Sequence, residues 1–164
     1  MTTSARWRRG SVTAGWTLLP LRLVIGVGFL LHGLAKWNRG PAAFGRLLEY
    51  LGVPMPLATA WMVTSLEIAG GLLLIVGFLV TVVSIPLAVS MFVAMFTIHI
   101  HYGFSSINTV GLTRAGPVFG PPGYEINLLY LAGLWALAAT APTRWSLDRW
   151  RVGSRESARI SSVN

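Results

Sequence analysis

Four long apolar segments dominate the sequence and constrain its fold more than any other feature. They cover residues 16–37, 57–79, 81–100 and 124–141. Each is close to or above the roughly 19 residues that cross about 30 Å of hydrocarbon. Of the 164 residues, 54% are hydrophobic and 11% are charged, which is more apolar surface than one small soluble core buries. The sequence therefore predicts an integral membrane protein with four transmembrane helices, the second and third joined by a tight turn near residue 80.

Basic residues predict the orientation of these helices. Arginines precede or begin the first segment at positions 6, 8, 9 and 22, and follow the fourth at positions 144, 149, 151, 155 and 159. Because Lys and Arg favour the cytoplasmic side, we expect both termini in the cytoplasm, a plasma-membrane location, and loops 38–56 and 101–123 outside. The outer loop 38–56 keeps Arg39 and Arg46, so the asymmetry is imperfect.

The same pattern divides the chain into three parts. We predict a basic N-terminal tail over 1–15, a transmembrane domain over 16–150 and a basic C-terminal tail over 151–164. Trp145 and Trp150 among arginines predict a short amphipathic helix on the cytoplasmic headgroups, with a plain disordered tail as the alternative beyond residue 153.

Charge and cysteine content exclude several functions. The net charge of +8 lies mostly in the tails and loops, so it indicates membrane orientation, and no nucleic-acid partner is predicted. The chain has no cysteine, which excludes disulfides, thiolate metal sites and thiol redox chemistry. No metal site is predicted, and any redox role would need a bound cofactor.

Polar residues inside the apolar segments predict a functional pocket. We expect His32, Glu67, His99 and Glu125 all to lie in the outer half of the bilayer, where ionisable groups are costly unless they pair or face a wet cavity. Glu67 shares its helix face with two glycines, which would let another helix approach the carboxylate. We therefore hypothesise one hydrogen-bonded cluster joining His32 to Glu67 and to His99 or Glu125.

Several of these residues also have simpler interpretations. Lys36 beside Trp37 is typical of an interfacial anchor whose ammonium extends to the headgroups. His99 would serve equally as a helix-end residue, His101 as a solvated loop residue, and Glu125 as an acid favoured at a helix N-terminus.

The motifs around these residues resemble the DoxX family of small membrane proteins. The runs are LRLVIGVGFLLHGLAKW, LGVP, LEIAGGLLLIVGF, HIHYGF, GYEINLLYLAGL and TRWSLDRW, in that order from about residue 20 to 150. The resemblance implies an all-α membrane protein with a four-transmembrane-helix up-and-down bundle. The matching motif positions are His32, Gly33, Lys36, Glu67, Gly70, Gly71, His99, Gly123, Tyr124 and Glu125.

The resemblance also implies a redox connection, because the family is tied to a membrane subunit of a thiosulfate:quinone oxidoreductase. The first hypothesis is a quinone-interacting subunit of a redox system, with His32, Glu67, His99 and Glu125 as catalytic candidates. Its cofactor-binding candidates are His32, Lys36, Gly70, Gly71 and Tyr124. This subunit would need a redox or accessory protein partner besides membrane lipid, since the chain carries no flavin or nucleotide fingerprint.

Two alternatives remain open from the sequence. The protein could be a non-catalytic membrane adaptor or assembly factor in which the polar residues only hold the helices in register. A haem ligated by His32 and His99 is a weaker option, because their depths match only loosely. The segment between His101 and Glu125 is rich in Gly and Pro and predicts an ordered outer loop able to cover the pocket. A homo-oligomer is compatible with each of these hypotheses.

Overall fold

The computed structural model describes residues 4–140 together with Ser146 and Leu147, with the backbone alone described for 4–17. The helices are α1 Ser4–Arg39, α2 Pro41–Tyr50, α3 Pro56–Val76, α4 Val80–Thr97 and α5 Glu125–Ala139. A short 3₁₀ helix covers His99–Tyr102, and strands β1 Thr109–Thr113 and β2 Gly116–Phe119 form a hairpin between it and α5.

The helices confirm the prediction of an all-α membrane protein. Three of them are long and apolar enough to cross a membrane, over Leu18–Arg39, Pro56–Val76 and Val80–Thr97. Helix α5 is apolar but has 15 residues, about 22 Å at 1.5 Å per residue. The last predicted segment extended to 141, and residues 141–145 lie outside the described part of the chain.

Glycine and proline end the helices where the chain reverses. Pro56 occupies the start of α3, where its missing N–H costs nothing. Gly77 ends α3 with φ 70°, a left-handed conformation that glycine adopts freely, and Leu79 also has a positive φ of 52°. The predicted tight turn near residue 80 is therefore present. We call this end of the bundle the turn end, and the end carrying α2 and the hairpin the loop end.

The four apolar helices pack in the order α1, α3, α4, α5, and α5 returns to contact α1. The α1–α3 interface is the most extensive, and the α1–α5 interface is much smaller. Glycines allow the close contact at the α1–α3 interface. A Cβ at Gly71 would lie 2.6 Å from the Leu30 backbone N, and a Cβ at Gly33 would lie 2.8 Å from the Ile68 backbone N. Close approach of this kind is typical of membrane helices with small residues at their interface.

The core lies along the bundle axis and is made of aliphatic and aromatic side chains. Its buried members are Ile25, Phe29, Leu74, Val83, Leu87, Met91, Leu134 and Leu137. The opposite flanks of the helices expose large apolar residues such as Val24, Ile85 and Trp135, which fits a lipid environment.

Two elements at the loop end were not predicted. Helix α2 lies within the loop 38–56 and packs on α3, burying Leu48. The β-hairpin lies within the loop 101–123, and its paired residues are almost all exposed. From Ser4, the predicted tail 1–15 is the beginning of α1. The predicted amphipathic helix and the tail 151–164 lie outside the described residues, apart from Ser146 and Leu147.

Candidate functional site

An ion pair between α1 and α3 forms the centre of the candidate site. Lys36 Nζ donates a hydrogen bond to Glu67 Oε2, and the side chains are 24% and 4% exposed respectively. The Lys36 ammonium also lies 5.1 Å from the Phe44 ring centroid of α2, a cation–π distance. The interpretation of Lys36 as an interfacial anchor is therefore wrong, because its ammonium neutralises the buried carboxylate.

The helix contact at Gly33 explains how Lys36 reaches Glu67. A Cβ at Gly33 would lie 3.1 Å from the Glu67 Cβ, so the two helices come close at this level. Lys36 is one turn nearer the loop end, and side chains on a helix incline toward its N-terminus. The ammonium therefore extends back along α1 to the carboxylate.

A pair of stacked aromatic rings joins α1 to α5 beside the ion pair. The imidazole of His32 stacks on Tyr130, with 6.0 Å between ring centroids and 25° between planes. Tyr130 also contacts the buried Phe29 edge-on at 5.2 Å. Its hydroxyl occupies the space that a Cβ at Gly28 would need. His32 itself is exposed, so in a membrane this flank of the α1–α5 interface faces lipid.

These residues form one electrostatic group, which we call the polar cluster: His32, Lys36, Glu67 and Tyr130. The imidazole of His32 lies within electrostatic range of Glu67, Lys36 and His99, and Tyr130 lies within range of Glu67. In the described part of the chain, His32 forms no hydrogen bond with Glu67, His99 or Glu125. The expected hydrogen-bonded network is not formed, since Lys36 holds the carboxylate instead.

His99 lies at the edge of the polar cluster, just after α4. Its Nδ1 is 2.9 Å from the carbonyl oxygen of Pro122, which precedes α5. Because a carbonyl oxygen only accepts, Nδ1 carries the hydrogen and donates it. The bond fixes the ring orientation at the loop end of the bundle.

Tyr124 and Glu125 contact the loop at residues 103–106 and do not contact the Lys36–Glu67 ion pair. Glu125 Oε2 accepts the Ser106 N–H at 2.9 Å, and the Tyr124 N–H donates to the Gly103 carbonyl at 3.0 Å. The Tyr124 ring contacts Phe104 edge-on at 5.4 Å. We call this set of contacts the loop clasp. An acid at the start of α5 agrees with the simpler interpretation of Glu125.

The two candidate glycines on α3 lie at helix interfaces. Gly71 faces α1, where a Cβ would meet backbone atoms of Leu30 and Gly26. Gly70 faces α4, where a Cβ would lie 3.0 Å from a Leu87 methyl group. Both glycines thus serve helix packing, and their part in cofactor binding stays a prediction.

Three buried polar residues were missed by the sequence reasoning. Asn127 on α5 is 1% exposed, and its Nδ2 lies 3.3 Å from the Met91 carbonyl oxygen and 3.5 Å from the Met91 Sδ. Thr64 on α3 is fully buried one turn from Glu67, and Ser84 lies on α4. An asparagine within the apolar run EINLLYLAGL was the available signal for the first of them.

Arg22 corrects the expectation that ionisable groups within the spans gather in one half of the bilayer. It lies inside α1 near the turn end, is 2% exposed, and Nη2 is 3.4 Å from the Ile75 carbonyl oxygen. Ser146 is buried beside it and donates its hydroxyl to the Gly77 carbonyl. Arg22 is therefore not a flanking cation, and its place inside segment 16–37 was the signal for this.

The chemistry available at the polar cluster is proton exchange and hydrogen bonding. Imidazole, phenol, ammonium and carboxylate groups lie together beside a lipid-facing surface. Across the described residues, no group of three or more His, Asp and Glu side chains is arranged to hold a metal ion.

Comparisons with known proteins agree with this architecture. A family model described as DoxX matches residues 17–100, about half of the chain and three of the polar cluster's four residues. The chain is also 28% identical over 153 residues to the uncharacterized membrane protein Rv3486 of Mycobacterium tuberculosis. That alignment covers 87% of this chain and 85% of the relative. No solved structure matches the chain.

Proposed function

This chain belongs to the DoxX family of membrane proteins, and from this premise we propose that it is the membrane subunit of a redox system and binds a quinone at the polar cluster. The observation that carries the proposal is the stacked pair His32–Tyr130 on a lipid-facing flank, next to the buried Lys36–Glu67 ion pair. Quinones are lipid-soluble, so a lateral entrance from the bilayer suits them better than one from water.

The residues of the polar cluster fit the hydrogen-bonding needs of a quinone. The Tyr130 hydroxyl and a ring N–H of His32 are donors beside the small α1–α5 interface, and Gly28 leaves room for the phenol. Binding sites of this kind are largely apolar with a few oriented polar groups. A bound quinone would accept two electrons and two protons on reduction.

The roles of the individual residues follow from their positions. His32 and Tyr130 would orient the ring oxygen through their N–H and O–H groups. Lys36 keeps a positive charge beside them, which favours added electron density on that oxygen, and Glu67 keeps the ammonium in place. The electrons would come from a partner protein. This chain has no cysteine for thiol redox chemistry, and the quinone would be its one redox cofactor.

One observation favours the second candidate, a non-catalytic adaptor or assembly factor. Lys36 pairs with Glu67 and so links α1 to α3, as a purely structural ion pair would. Buried polar pairs that set helix register are attested in other proteins. The two candidates predict different quinone affinities for variants that lack the His32 or Tyr130 donor and keep the Lys36–Glu67 ion pair.

The test is quinone binding to variants of the purified protein in lipid nanodiscs. A short-chain ubiquinone or menaquinone analogue is titrated while tryptophan fluorescence is followed, because Trp37 and Trp61 form a ring pair beside Lys36. His32→Phe and Tyr130→Phe should each weaken binding by about tenfold, the effect of losing one hydrogen bond of roughly 1.4 kcal/mol. His101→Phe, at an exposed histidine near α4, is the matched control.

The outcomes separate the two candidates. Weaker binding in both variants, with an unchanged melting temperature and normal binding by His101→Phe, supports the quinone site. Equal saturable binding by all four proteins, or no saturable binding by the unmodified protein, contradicts it and leaves the adaptor. A pull-down in mild detergent with cofactor analysis of the eluate then identifies the partner under either outcome.

A further inference from the structure

The β-hairpin at the loop end exposes more apolar surface than a hairpin in water normally does. Leu112 is 84% exposed, Phe119 is 60% exposed, and Val110 is 62% exposed. A two-residue turn, Arg114–Ala115, joins the strands, and Thr113 Oγ1 closes it by donating to the Gly116 carbonyl at 3.0 Å. The hairpin is therefore ordered, although its side chains lack cover from the described residues.

The strand register places three apolar residues of the hairpin on one face. Leu112 pairs with Pro117 and Thr109 pairs with Phe119, so Leu112, Pro117 and Phe119 lie on the same side of the ribbon. Gly111 pairs with Val118 on the opposite side. A bulge between Thr109 and Gly111 accommodates one extra residue in β1, so Thr109 and Leu112 lie on the same side of the ribbon.

The base of the hairpin is tied to the loop end of the bundle. The loop clasp ties residues 103–106 to the start of α5, and the Gly120 N–H donates to the Asn108 carbonyl at 2.7 Å, just below the strands. Exposed Ile100, Tyr102 and Phe104 connect the outer flank of α4 to this ribbon. Exposed apolar side chains therefore follow one another along the chain from the end of α4 into the hairpin.

The composition of residues 102–124 distinguishes two possible partners of the apolar hairpin, a soluble protein and the lipid bilayer. Arg114 is the only charged side chain in residues 102–124, and aromatic residues flank the strands on both sides. A ribbon that projected into water to meet a soluble protein would need more charge to stay solvated. Aromatic residues with a single cation are typical of the bilayer interface, where rings lie at headgroup level and Arg meets phosphate.

We infer that the hairpin Thr109–Phe119 is a membrane-interface anchor. Leu112, Pro117 and Phe119 insert into the headgroup and upper acyl region of the leaflet at the loop end, and Arg114 contacts lipid phosphates. This inference is independent of the proposed quinone site, because none of its residues belongs to the polar cluster. It assigns to the hairpin the same lipid contact that an amphipathic interfacial helix makes.

The test uses single introduced cysteines. Because the chain has no native cysteine, each label reports one known position. Leu112→Cys reports the face that carries Leu112, Pro117 and Phe119. Gly111→Cys reports the opposite face, where a Cβ would meet open space. Each is labelled with an environment-sensitive fluorophore in nanodiscs of mixed phosphatidylcholine and phosphatidylglycerol. Quenching is measured with lipids brominated high on the acyl chain and, separately, with aqueous iodide.

The expected result is a reversal between the two faces. The label at 112 should be quenched several-fold more by bromolipid than the label at 111, and several-fold less by iodide. Iodide access to both labels equal to that of a free dye would show a hairpin projecting into water and overturn the inference. Protection of the label at 112 from both quenchers would indicate a second copy of the chain and would also overturn it.

Discussion

At the scale of single residues, the pairing of Lys36 with Glu67 decides the chemistry of the loop-end half of the bundle. An unpaired carboxylate at the depth of Glu67 would be neutral or costly, so it needs a counter-charge within the protein. Lys36 supplies it from the neighbouring helix. His32 is thereby left without a carboxylate partner among the described residues and stacks on Tyr130.

Removing one member of this pair should be costlier than removing both. Lys36→Met leaves a buried carboxylate uncompensated, and we expect a loss of about 3 kcal/mol in the free energy of unfolding. Adding Glu67→Gln should recover at least about 1 kcal/mol, the coupling expected for residues in contact. Unfolding in detergent by heat and by SDS measures both values.

Arg39→Met is the control for charge alone, because Arg39 is exposed at the end of α1. It should change the free energy of unfolding by less than about 0.5 kcal/mol. Strictly additive losses for the Lys36 and Glu67 substitutions would show that the two side chains are not coupled in the membrane.

At the scale of elements, glycines determine how closely the helices pack. Gly26, Gly33 and Gly71 lie where α1 and α3 touch, and their missing Cβ atoms allow backbone contact. The ion pair depends on that approach, since Lys36 reaches Glu67 only because α1 lies against α3 at Gly33.

Gly71 and its neighbour Gly70 offer a matched comparison. Gly71→Ala forces backbone atoms of α1 away, because the new methyl group would lie 2.7 Å from the Gly26 carbonyl oxygen, and we expect a loss of about 2 kcal/mol. In Gly70→Ala the three atoms nearest to the new methyl group all belong to the movable Leu87 side chain, so the loss should be smaller. Both variants gain the same helix propensity, so the difference in melting temperature in detergent reports packing alone. A larger loss at Gly70 would contradict the α1–α3 contact.

The loop clasp is a second element-scale device, and it gives Glu125 a structural role. In Glu125→Ala the Ser106 N–H loses its charged acceptor, so the Ser106 amide should exchange its hydrogen faster while the bundle keeps its melting temperature. Hydrogen exchange followed by mass spectrometry over residues 103–125 measures this. Glu49→Ala, at an exposed glutamate of α2, should leave that exchange unchanged. An unaltered exchange rate in Glu125→Ala would show that the clasp does not depend on the carboxylate.

At the scale of the whole molecule, the predicted orientation is the remaining architectural question. The loop end carries α2 and the hairpin, while the turn end carries the α3–α4 turn, the buried Arg22 and Ser146. Because Arg22 is buried and not a flanking cation, the orientation depends on the arginines of the two tails.

Single cysteines at opposite ends test this orientation in intact cells. Ser106 is half-buried with its N–H bonded to Glu125, so Ala115→Cys at the exposed hairpin turn is the better outer reporter. Ala115→Cys should react with an impermeant thiol reagent from outside, and Ser157→Cys only after the cells are opened. The opposite labelling pattern would reverse the topology, and outside labelling of both would exclude four crossings.

Local properties of the sequence were enough to predict the helices of the bundle. Long apolar runs require backbone groups to be satisfied within each segment, and this makes them helices wherever they occur in a membrane. The glycine at 77 and the short turn after it likewise act within a few residues. The predicted boundaries over 57–79 and 81–100 therefore differ from α3 and α4 by only a few residues at any end.

Tertiary structure decided which polar residues meet. Helical periodicity places Gly28, His32 and Lys36 on one stripe, but only the close packing of α1 on α3 directs Lys36 to Glu67 and leaves His32 for Tyr130. The burial of Arg22 likewise depends on helix contacts far apart in the chain. The partner of a side chain in a bundle depends on the rotation and relative height of two helices, and the packing of many residues sets both.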